Sequence, residues 1–142
     1  MTETEFRIKH SELIGYYQLI EMRLKGLCAR VFTDELDVWI QKMDQYCDDS
    51  FGELLVQIRK VQKQTNIFFL SQADLQELDD LRLARNYWVH QCFGGNEPVV
   101  FSHHTVKKPE NARRLERDLQ SAIAWDNKLT EVFIDLGKLK MN

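Results

Sequence analysis

Apolar residues recur every three or four positions along most of this chain, and both of its prolines, Pro98 and Pro109, fall in one short break in that pattern. A 3.6-residue repeat buries one stripe of each helix, and proline is rejected by a helix interior. The first periodic segment, about Glu5 to Phe32, carries Phe6, Leu13, Tyr16, Tyr17, Ile20, Leu24, Leu27 and Val31 on one face. Thr33 or Asp34 is expected to cap a second helix with Leu36, Trp39, Ile40 and Met43. Asp48-Asp49-Ser50 reads as a break and a new cap, ahead of a third helix with Leu54, Leu55, Ile58 and Val61. Gln64-Thr65-Asn66 reads as a turn, and Ser71 with Asp74 as a capping box that opens a fourth helix running to about Phe93. Gly94-Gly95-Asn96 and Pro98 stop that helix. Residues 97–108 form the only sizeable irregular stretch, with a short extended piece expected at Val99-Val100-Phe101. Pro109 suits the first turn of a last helix that reaches about Leu136. The expected fold is all-α, a four- to five-helix up-and-down bundle forming a single domain over residues 1–142.

Charge and cysteine content narrow the function. A net charge of -3 argues against a general nucleic-acid coat, which depends on many Lys and Arg contacts to phosphate. A local basic site for a short stretch of RNA is compatible with it. Cys28, Cys47 and Cys92 show no paired spacing, which fits free thiols in a reducing cytosol. No basic start leads into an apolar run, so no signal peptide is expected. Ile67-Phe68-Phe69-Leu70 is far too short to span a bilayer, so no membrane contact is expected and the location is taken as cytoplasmic.

The chemistry concentrates on the fourth helix. At ~100° per residue, Leu78, Leu81, Trp88, Val89 and Cys92 share an apolar sector, and Arg85 falls inside it. Arg82, Asn86 and His90 line the neighbouring sector at four-residue steps, beside Asp79. A guanidinium in an apolar sector must meet a carboxylate, a carbonyl, a phosphate or a groove between subunits. The bland readings are a salt bridge from Arg85 to another helix, an Asp79–Arg82 pair and a core histidine at His90. The functional reading is an Arg that neutralises phosphate, an Asn that orients it and a His that moves protons near neutral pH.

Residues 81 to 90, Leu-Arg-Leu-Ala-Arg-Asn-Tyr-Trp-Val-His, resemble the signature of the HEPN superfamily. That signature is an Arg, four to six residues and a His, with a polar residue directly after the Arg. Arg85, Asn86 and His90 match it at the shortest spacing. The resemblance implies a homodimer in which two motif helices build one composite RNA site. It also implies metal-independent endoribonuclease activity of the toxin–antitoxin or phage-defence kind. His90 would be general acid or base, Arg85 would stabilise charge on the phosphate, and Asn86 would position one of them. The 2′-OH would be the nucleophile, so DNA would not be cut. One toxin subgroup has a Tyr two residues after the His; here that position is Cys92, which argues against neutralisation by modification there. No cofactor or metal is implied. The alternative is a non-catalytic helical dimer serving as a binding or regulatory module, an antitoxin or adaptor.

Other groups are weaker candidates. Lys107 and Lys108, beside His103-His104, and Arg113 and Arg117 on the last helix are possible RNA contacts, with Arg82. Glu110, Glu116 and Asp118 dilute the Arg113–Arg117 stripe, which favours an ordinary solvated face. His103-His104 lacks further ligands at metal-site spacing. Cys92 reads as a small core residue.

Overall fold

The computed structural model describes residues 1–141 and is an all-α helical bundle. Its helices are α1 (Glu3–Arg30), α2 (Leu36–Asp44), α3 (Phe51–Thr65), α4 (Gln72–Asn86) and α5 (Pro109–Met141). A π-helical turn, Tyr87–Gln91, follows α4. A two-residue hairpin, β1 (Phe101–Ser102) and β2 (Thr105–Val106), precedes α5.

Helix starts follow side chains that answer the unpaired N–H groups of a first turn. Ser71 and Asp74 form the expected capping box, each side chain bonding the other residue's N–H at 3.0 Å. Ser50 and Glu53 do the same for α3 at 3.2 Å. Thr2 and Glu5 do so for α1 at 3.1 Å, which places its start ahead of the expected Glu5. The expected cap of α2 is corrected. Glu35 is its N-cap with no side-chain cap bond, and Thr33 Oγ1 instead accepts from the Glu35 N–H at 3.1 Å. Asn66 ends α3 in the left-handed region, φ 56°, where the turn was expected.

The order of cross-helix contacts gives the directions. Lys9–Glu116 and Arg23–Asp126 step the same way along α1 and α5, so these two long helices run parallel. Asp74–Lys128 and Trp88–Asp118 step in opposite senses, so α4 runs antiparallel to α5. Gln62 Oε1 accepts from Leu70 N–H near the α3–α4 turn, and Gly52 faces Arg82 at the other end, making that pair antiparallel too. One core joins all of them. Phe6, Leu13, Tyr17, Ile20, Leu24 and Leu27 of α1 meet Leu54 and Ile58, Leu78 and Trp88, and Leu115 and Leu129. Among the described residues, no helix is long and apolar enough to cross a membrane.

The hairpin replaces the extended piece expected at Val99-Val100-Phe101. Its loop residues, His103 and His104, both have positive φ, 51° and 62°. Two such residues between paired strands make the type I′ geometry whose twist matches that of the strands. The hairpin also holds the chain start: Glu3 N–H donates to His104 O at 2.8 Å, and Val106 N–H to Met1 O at 3.1 Å. Asn-Gly suits this loop better than two histidines, because glycine adopts positive φ without a steric cost. The double variant His103→Asn/His104→Gly should therefore raise the thermal midpoint, by an amount equivalent to about 0.5–1 kcal/mol. A lower midpoint on thermal unfolding would show that the imidazoles stabilise the hairpin themselves.

Candidate functional site

The motif helix changes its winding at the motif. Cys92 N–H donates to Tyr87 O, five residues back, at 2.9 Å. The widened turn lets Trp88 plug the core, where it is fully buried. Its carbonyl is satisfied from the side: His10 Nε2 on α1 lies 2.8 Å away and Cys92 Sγ donates at 3.0 Å. Its indole Nε1–H donates to Asp118 Oδ2 at 2.7 Å. Asp118 is itself buried and has the guanidinium of Arg117 at 3.3 Å and that of Arg114 at 3.8 Å. Arg114 also lies 3.7 Å over the Tyr87 ring, a stacked cation on an aromatic face.

Arg85 stands in the apolar sector and meets a carboxylate of another helix, as one of the bland readings has it. Its Nε is 2.9 Å from Glu21 Oε1 of α1, both side chains being largely buried. Glu21 Oε1 nevertheless has no aligned hydrogen-bond donor, so this contact is coulombic rather than directional. Arg85 Nη1 also donates to Asn86 Oδ1 at 3.4 Å, so two of the three motif residues touch. His90 does not join them through a hydrogen bond. It is exposed, and no side-chain hydrogen bond among the described residues involves it.

The four-residue row expected for Arg82, Asn86 and His90 is interrupted by the π turn, whose wider winding rotates the chain less per residue between the last two. Arg82 is held by Asp79 at 2.9 Å and packs near Gly52. Val89, assigned to the apolar sector, is instead 41% exposed, as is Phe93 at 44%.

The basic candidates are dispersed. Lys107, Lys108, Arg113 and Arg117 are all exposed. Lys108 borders a polar groove of about 360 Å3 with Tyr87, Asn96, Asn111 and Arg114. Arg114 thus faces the motif segment, whereas the sequence offered Arg113 and Arg117 as weak candidates for RNA contact. Its four-residue spacing from Asp118 was the available signal. His10 and Asp118 were missed as site residues; a buried indole's need for an acceptor points to Asp118 only once Trp88 is known to be enclosed. Cys92 is buried, and burial pushes its thiol pKa up, away from nucleophilic use. Among the described residues, no group of His, Cys, Asp and Glu could hold a metal ion. Comparison with protein-family models, curated proteins and solved structures gives no match.

The Arg85–Glu21 contact makes a measurable demand. Arg85→Ala leaves a largely buried carboxylate uncompensated and should lower unfolding free energy by about 1–3 kcal/mol. Adding Glu21→Gln should recover most of that loss. Urea unfolding of the two single variants and the pair checks this, and strictly additive losses would show that the two groups do not interact.

Proposed function

We propose that this chain is a metal-independent endoribonuclease of the HEPN type, acting as a cytoplasmic toxin or phage-defence effector. One observation carries the reading: Arg85 and Asn86 touch at the end of α4, and in the π turn beyond them the His90 imidazole is exposed and, among the described residues, makes no side-chain hydrogen bond. An imidazole held by no structural partner among the described residues is open to a substrate.

In this mechanism His90 takes the proton of a ribose 2′-OH, and the 2′-oxygen attacks the adjacent phosphorus. The bond from phosphorus to the 5′-oxygen breaks, and that oxygen receives a proton from the imidazolium or from a second copy of it. Arg85 places positive charge against the phosphorane oxygens, using guanidinium N–H groups not aimed at Glu21 or Asn86. Products are a 2′,3′-cyclic phosphate and a 5′-hydroxyl end. Exposed Leu83, Val89 and Phe93 on the same segment supply apolar surface for a homodimer that brings two motifs together.

A second reading has its own support. The Arg85–Glu21 contact neutralises the cation that phosphate would need, which favours a non-catalytic dimer acting as a binding or regulatory module, an antitoxin or adaptor.

Cleavage of labelled RNA and matched DNA in excess EDTA separates the two. The wild-type chain should cut RNA only and leave a cyclic phosphate, while His90→Ala should lose at least about 100-fold in rate without a change in thermal midpoint. Unchanged cutting by His90→Ala would remove His90 from the chemistry. A folded, dimeric wild type that cuts no member of a broad RNA panel would establish the binding module instead.

A further inference from the structure

Between α4 and α5 lies a cleft of about 500 Å3 that neither reading above uses. Small residues, Ala84 from α4 with Ser121 and Ala124 from α5, face it and leave its volume unfilled. Leu81 and Trp125 supply apolar wall. Tyr17 of α1 also lines it; this residue is only 2% exposed, and its hydroxyl has no hydrogen-bond partner among the described residues. A buried hydroxyl without a partner is costly unless something else completes it. Burial, reinforced by the nearby Asp118 charge and only partly opposed by Arg114 and Arg85, also keeps this phenol protonated.

The charge around the cleft is unbalanced. Glu77 and Asp80 stand three residues apart on α4 at its edge, and neither has an ion-pair partner among the described residues. The third carboxylate, Asp118, is already engaged by Trp88, Arg114 and Arg117. Among the described residues Arg117 is the one cation lining the cleft, and Asp118 occupies it at 3.3 Å. What remains is an unpartnered hydroxyl and two carboxylates without a cation, Asp80 accepting only from the Gln76 amide at 3.3 Å, beside an apolar wall. Lys128 already lies 4.9 Å over the Trp125 ring, so an incoming cation belongs with the carboxylates rather than on the indole.

We infer that this cleft binds a small organic cation, a linear aliphatic amine. Its ammonium group is received by the Tyr17 oxygen and the Glu77 and Asp80 carboxylates, and its methylenes lie along Leu81, Ala84 and Trp125. An ammonium has three donors and no acceptor, which matches this set of oxygens. The inference does not rest on the ribonuclease reading.

Calorimetric titration of the whole chain with spermidine tests it. The wild type should show one saturable site. Tyr17→Phe should weaken binding by about tenfold or more, because it deletes a hydrogen bond to a charged group, with a thermal midpoint unchanged or raised. Glu77→Gln/Asp80→Asn should abolish binding. The control Asp37→Asn/Asp44→Asn removes the same charge from α2, away from the cleft, and should bind as the wild type does. The inference is overturned by absence of a saturable site, by undiminished binding in Tyr17→Phe, or by equal losses in the two double variants. Saturable binding of inorganic phosphate in place of spermidine, lost in Arg117→Gln, would overturn it in favour of an anion.

Discussion

The hydrogen bond from the Trp88 indole to Asp118 is the constraint on which the region around the motif depends. Trp88 is fully enclosed, so its N–H must have an acceptor inside the bundle. Asp118 provides it from α5 and thereby sets how α5 lies against the end of α4. A carboxylate so deeply placed needs positive charge nearby, and Arg114 and Arg117 supply it. Arg114 in turn stacks on Tyr87, next to Trp88 in the chain. The indole, the carboxylate and the stacked guanidinium tie two helices that otherwise have a cleft between them.

The π turn is the second consequence of burying Trp88. A single extra residue per turn interrupts the regular ladder and leaves a carbonyl in need of donors. His10 and Cys92 meet that need at the Trp88 carbonyl, and Phe6, His10 and Tyr87 surround the indole with tilted or edge-on rings. Val89, His90 and Phe93 of the same segment are exposed. The cleft lined by Tyr17 lies between the same two helices, so both candidate sites share the α4–α5 framework.

Much of the helical architecture was legible from local chemistry. The three-to-four-residue apolar repeat, the caps at Ser50 and Ser71, the turn at Asn66 and the stop near Gly94 act over a few residues, and each is visible in a short window. The hairpin was not legible, because His103-His104 lacks the glycine that marks such loops, and its strands are stabilised by pairing with the distant chain start. The start of α2 was misplaced because Thr33 turns back onto Glu35 instead of capping the helix. At the candidate site, the adjacency of Arg85 and Asn86 and the intrusion of Arg85 into an apolar sector were readable. The winding change was not, since an α-helical wheel assumes the regular turn that Trp88 abolishes.

By itself, then, the sequence determined that the chain is helical, where most helices begin and end, and that Arg85 must find a partner in a mostly apolar setting. These follow from backbone hydrogen bonding and side-chain periodicity, which operate within a turn or two. Tertiary structure alone decided that Arg85 lies against Glu21, that Asp118 receives Trp88, that Tyr17 is left without a partner and that α1 and α5 run parallel. Those outcomes join residues separated by up to about a hundred positions. They depend on which apolar faces pack together and on how each buried polar group is answered once water has been excluded.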